Sequence, residues 1–178
     1  MASAVDDLTS MVPPAGPSRP RPDWAAVEAQ LGIRLPNDYK LLSAAYGEGS
    51  FDGFLWVLQP TSENPHLDLI WQRELQLGVL RELQASGENL PYSVDRGRET
   101  LLPWAITDNG DVCYWVLSTS SEPDSWIVAV NEARGQSWEV FDMSVSEFLV
   151  AVMSGAMHVD VFPDDFPSDS PEFEVATT

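Results

Sequence analysis

The sequence predicts an α+β fold: a single domain with N-terminal helices, a mostly antiparallel sheet of about five or six strands, and a C-terminal helix packed on the sheet. Three observations predict it. Apolar residues recur at helical spacing through the first half of the chain, the period changes from Leu101 onward to short aromatic-rich runs separated by turn residues, and a capped amphipathic segment then closes at Gly155. With 178 residues and 44% hydrophobic content the chain can bury one sizeable core. Seven Trp and seven Phe make that core aromatic.

Residues 1–22 carry Pro13, Pro14, Pro17, Pro20 and Pro22 among small and polar residues, which removes backbone donors, so they are read as a flexible leader. Asp23 is placed to cap a short helix in which Trp24, Val27 and Leu31 share a face and Gly32 supplies the left-handed stop. Pro36 suits the first position of a second helix, Asp38 the positive end of its dipole, and Gly47 its end; Tyr39, Leu42 and Tyr46 form the buried stripe. Residues 49–53 read as a loop leading into a strand over 54–58, which Pro60 ends. Asn64 and Pro65 open a third helical pattern whose apolar face is taken as Leu67, Ile70, Trp71, Leu75, Val79 and Leu83, with Gly78 a point of kink or break. Residues 86–100 read as a loop that touches the surface through Tyr92 and Val94.

Leu102, Trp104 and Ile106 precede Asn109-Gly110, the preferred pair of a two-residue type I′ turn, and residues 112–117 return. The unbroken apolar character of that return marks a central strand covered on both faces. Residues 126–130 and 138–141 pair as a second hairpin around Arg134-Gly135. The last helix has a capping box in Ser144 and Glu147 and a hydrophobic staple in Met143 and Phe148; Phe148, Leu149, Val152 and Met153 face the core. The domain proper is therefore 23–156, with 157–178 an acidic extension docked in part through its Phe residues.

The formal charge is -19, from 28 acidic and 9 basic residues. Fifteen of the acidic residues lie from Glu99 to the end, against Arg134 alone. Such a surface repels nucleic acid, anionic membranes and phosphate-rich substrates, and it favours a basic protein partner; plain solubility is the competing explanation. The one cysteine, Cys113, excludes an internal disulfide and sits in an apolar run that makes it a small buried hydrophobe. No run approaches a membrane span and the start lacks a signal peptide's pattern, so a cytoplasmic protein is expected.

Catalysis finds little support. His66 and His158 lie in no motif, and no nucleophile elbow, zinc helix, P-loop or dinucleotide fingerprint is present. Asp108 and Asp111 lack the further ligands of a calcium loop, so turn chemistry accounts for them. Asp164 and Asp165 are adjacent, which suits a solvated pair better than a glycosidase dyad. Trp56, Trp104, Trp115 and Trp138 fall at strand positions that favour core over a ligand cage. No enzyme, cofactor or metal is expected.

The stretch Leu31-Gly32-Ile33-Arg34-Leu35-Pro36-Asn37-Asp38-Tyr39, then Tyr46-Gly47-Glu48-Gly49-Ser50-Phe51, resembles the opening motif of the SUKH superfamily, in its Smi/Knr-like branch. Leu102-Pro103-Trp104-Ala105, Asn109-Gly110-Asp111, Tyr114-Trp115 and Trp138 through Leu149 follow in that family's order, so the resemblance covers roughly 23–156. It implies an α+β domain used in bacteria mainly as an immunity protein that neutralises a cognate polymorphic toxin, often a basic nuclease, by tight binding. It implies no catalytic residues, and its shared Leu-Pro-x-x-Tyr and Gly-x-Gly positions look structural. A regulatory or scaffolding module bound to another basic protein is the alternative. The candidate partner-binding residues are the acidic loop positions Glu48, Asp52, Asp108, Asp111, Glu122 and Asp124, each of which also has a reading as a helix stop, turn or solvated loop.

Overall fold

The computed structural model describes residues 3–16, 20–118, 122–133 and 136–177. Helices α1 (Ala4–Met11), α2 (Trp24–Leu31) and α3 (Asn37–Tyr46) precede the short hairpin strands β1 (Gly49–Phe51) and β2 (Leu55–Val57). Helix α4 (Leu69–Ala85) leads to β3 (Leu101–Thr107), β4 (Val112–Val116), β5 (Ile127–Asn131) and β6 (Trp138–Phe141), and α5 (Val145–Met153) and β7 (Phe173–Val175) close the chain. All seven strands form one antiparallel sheet in the order β6-β5-β4-β3-β2-β1-β7, a meander to which the last strand adds at the β1 edge. The predicted α+β class holds. Two of the strands, β1 and β7, are not legible in the sequence: β1 has only Phe51 as a large apolar residue, and β7 forms by pairing with β1 from more than 120 residues along the chain.

Side chains of β4 show how the layers arise. Cys113 and Trp115 enter a large core with α1, α2, α3 and α5, whereas Val112 and Tyr114 enter a smaller one with Leu77 and Leu80 of α4, Val94 and Leu101. Successive residues of a strand point to opposite faces, so the sheet is sandwiched: four helices on one side, α4 and the 86–100 segment on the other. The strand is thus covered on both faces, as its composition predicted, and Cys113 is fully buried. Pro103 lies within β3 at a register shift between Pro103 and Ala105, where its missing N–H is accommodated by a bulge.

Helix boundaries follow their caps. Asp23 accepts from the Ala26 N–H at 3.2 Å, Gly32 ends α2 with φ 73°, and Ser144 with Glu147 forms the reciprocal box at the start of α5. Pro36 precedes the first turn of α3 as its N-cap instead of occupying it, and the cap hydrogen bond it cannot make is supplied by Asp124, which accepts from the Asn37 N–H at 2.6 Å.

Three expectations are corrected. The segment read as a flexible leader contains α1, which Ser3 and Asp6 cap reciprocally and which buries Val5, Leu8 and Val12 against α3 and α5; a capped amphipathic turn outweighs the prolines that follow it. The third helix starts at Asp68, whose carboxylate accepts from the Trp71 N–H at 2.7 Å, and runs unbroken through Gly78; its buried side is Leu69, Gln72, Leu77 and Leu80, leaving Trp71, Leu75 and Val79 outside. The turn at Asn109-Gly110 is not type I′, since Gly110 has positive φ and Asn109 does not; Thr107 C=O accepts from Gly110 N–H, and the Thr107 N–H donates to the Asp111 C=O, so four residues, 108–111, separate β3 from β4. The turn expected at Arg134-Gly135 lies outside the described residues, though β5 and β6 pair on either side of it.

Candidate functional site

The register of the sheet sorts the acidic loop residues by end. Phe51, Leu55, Thr107, Val112, Asn131 and Phe173 stand at one end of their strands, which places Asp52, Asp108 and Asp111 there. Glu48, Glu122 and Asp124 adjoin the opposite end, beside Gly49 and Ile127. The six candidates therefore do not form one patch.

Their surroundings differ as much as their positions. Asp52, in the left-handed region at φ 51°, accepts from the N–H groups of Ser168 and Glu172, both at 2.8 Å, and so pins the C-terminal segment beside β7. Asp111 is 3% exposed and accepts from the Thr107 hydroxyl at 2.7 Å and the Ala133 N–H at 2.9 Å, stitching two neighbouring turns. Asp124 caps α3 and also accepts from the Asn37 side-chain amide at 2.6 Å. Glu122 pairs with Arg34 at 2.5 Å on an exposed surface. Among the described residues the carboxylates of Glu48 and Asp108 accept no hydrogen bond, and Asp108 lies by a groove of about 270 Å³ with Trp56 and His66. Three of the six carboxylates are thus engaged in holding turns and helix ends, Glu122 is exposed but paired with Arg34, and Glu48 and Asp108 are left, among the described residues, with an unpaired charge to offer.

Other chemistry-bearing residues are placed in the frame of the fold. Trp104 and Trp115 are buried 6.4 Å apart, Trp138 packs on Tyr92 and Tyr114, and Trp56 lines the groove by Asp108. Burial pushes the Cys113 thiol well above its usual range, aided by the Asp111 charge. His66 is stacked edge-on against Trp71 at 5.8 Å, and His158 approaches Asp164 at 4.0 Å. Among the described residues no helix is long and apolar enough to cross a membrane.

The Leu-Pro-x-x-Tyr segment shows what its spacing is for. Tyr39, fully buried, donates its hydroxyl to the Leu58 C=O at 2.6 Å and meets Trp24 and Trp115 edge-on at 5.9 and 4.9 Å, locking α3 to the sheet. Asp38 beside it accepts from the N–H and hydroxyl of Ser146, tying α3 to the first turn of α5. Gly49 is required because a Cβ there would lie 2.1 Å from the Glu174 carbonyl oxygen of β7. A family model, SUKH_6, described as SMI1-KNR4 cell-wall, matches residues 22–149, well over half of the chain. The chain belongs to the SUKH superfamily. The matched span of this SUKH domain runs from the residue before the Asp23 cap into α5, and takes in the Tyr39 lock and six of the seven strands. Helix α1, most of the C-terminal segment and β7 lie beyond it. No curated protein and no solved structure matches the chain.

Proposed function

We propose that this SUKH domain is a cytoplasmic immunity protein that neutralises a cognate, basic bacterial toxin by binding it, without catalysing a reaction. The observation that carries the reading is the charge of -19 on a chain that belongs to this superfamily. A field of that sign draws a basic protein in, orients it, and repels nucleic acid and other acidic proteins. The carboxylates that face solvent at the two ends of the sheet, Glu48 and Glu122 at one and Asp108 at the other, are the members of the candidate set we assign to contact. Asp52, Asp111 and Asp124 act on the partner only by shaping the loops.

The family description names the cell wall, which favours a second reading as a regulatory module bound to a basic protein. Both readings need a protein partner, and one experiment separates them. The immunity reading expects the neighbouring gene to encode a large secreted protein with a variable, basic C-terminal domain, and the chain is co-expressed with that domain. The immunity reading expects rescue of growth and a stable complex on purification. Undiminished toxicity with no complex would overturn it.

A further inference from the structure

On α4, Trp71, Leu75 and Val79 follow one another at four-residue spacing and remain 43%, 40% and 44% exposed. Gly78 lies on the same face, and a Cβ built there would meet nothing within 4 Å among the described residues. A glycine inside a helix is less favourable than alanine, and no packing among the described residues requires this one. Its effect is to leave the helix backbone bare in the middle of an apolar stripe, where another backbone can approach closely. The charges on α4 are sorted as well. Arg73 turns in to the Leu31 C=O at 3.2 Å, and Arg81 turns in to the Val94 C=O at 2.6 Å and to Glu99 at 2.7 Å, while Glu74 and Glu82 stay exposed beside the stripe. From Val79 a groove of about 300 Å³ runs down to Tyr114, and Glu88 and Glu132 line it.

We propose that the outer face of α4 docks a basic amphipathic helix of the partner. Small and apolar residues of that helix pack on Trp71, Leu75, Gly78 and Val79 at the spacing of helix-on-helix recognition. Its Lys or Arg residues meet Glu74 and Glu82 and reach the groove between Glu88 and Glu132. Charge complementarity selects this occupant: the only cations on the helix are engaged inward, so an acidic helix would meet uncompensated carboxylates. The assignment rests on the reading that the chain works by binding a basic protein, and it adds where.

The test titrates the isotope-labelled full chain with a synthetic amphipathic peptide whose leucine and alanine stripe is flanked by lysines, and with the same peptide carrying glutamates. The lysine peptide is expected to shift amide signals within Leu69–Ala85 and around the groove, and the glutamate peptide to shift none. Gly78→Ala is expected to raise the thermal midpoint yet weaken the lysine peptide at least fivefold, a combination that loss of folding cannot produce. Shifts that map elsewhere, equal response to both peptides, or wild-type affinity in Gly78→Ala would overturn the assignment. So would sedimentation showing self-association that Val79→Glu abolishes, since the occupant would then be a second copy. The adjacent-gene toxin domain separates the two proposals: full binding by wild type and by Gly78→Ala alike removes the α4 face alone. No binding by wild type removes the toxin reading, and the peptide map still decides the face.

Discussion

Gly49 has no room for a methyl group, because β7 crosses it with the Glu174 carbonyl 2.1 Å from where a Cβ would lie and the Phe173 ring at 2.6 Å. Neither obstacle is the free end of a flexible side chain: one is backbone, the other a ring packed on Tyr46 and Phe51. Gly49→Ala is therefore expected to destabilise by about 1–3 kcal/mol and to loosen the C-terminal strand, seen as a lower urea midpoint and faster proteolysis after residue 157. Asp124 gives a milder case at the same scale. It replaces the cap that Pro36 cannot offer α3, so Asp124→Ala should cost about 1 kcal/mol in chemical denaturation, whereas Glu122→Ala, on an exposed pair, should cost almost nothing. Equal losses from the two would show that the acidic loop acts through charge alone. Cys113, buried and with its thiol pushed up, should stay unreactive toward thiol reagents until the chain unfolds.

Elements were legible where their ends carried chemistry. Asp23 and Gly32 marked α2, and Ser144 with Glu147 marked α5, because a cap is a local hydrogen bond that sequence spacing describes fully. What escaped depends on partners far along the chain. The face of α4 was misassigned since Trp71, Leu75 and Val79 are as periodic as Leu69, Leu77 and Leu80, and only the position of the sheet chooses between the stripes. The sequence cannot tell a contact role from a structural one for Asp52, Asp111 and Asp124, because the N–H groups they accept from lie at Glu172, Ala133 and Asn37. Helix α4 also supplies a pH prediction. Burial alone would raise the Glu99 carboxyl, but backbone N–H groups, including that of Gly97, and the nearby Arg81 and Arg73 outweigh it and hold the group below its usual 4.5. A lowered folded value means stability present above that usual value and lost as pH falls through the folded one. Glu99→Gln should thus be less stable than wild type by about 1 kcal/mol at neutral pH, with the gap closing as pH falls below the usual 4.5 and through the lowered folded value. A gap that persists in acid would show that the bond to Arg81 matters for shape and not for charge.

At the scale of the whole molecule the proposed binding rests on the charge, and a field of that kind acts on encounter more than on grip. Twenty-eight acidic residues against nine basic ones create an attraction that reaches about 10 Å in 0.1 M salt and only about 3 Å in 1 M. Association with a basic partner should therefore slow about tenfold or more between low and high salt, while dissociation, which is set by packed apolar contacts, changes little. Glu48→Gln with Asp108→Asn should lower the association rate and flatten its salt slope without altering stability, because neither carboxylate holds the fold together. Stopped-flow traces at several salt concentrations, run on wild type and the double variant, measure both effects. An association rate indifferent to salt would mean that the acidic surface serves solubility, and that recognition is left to apolar shape alone.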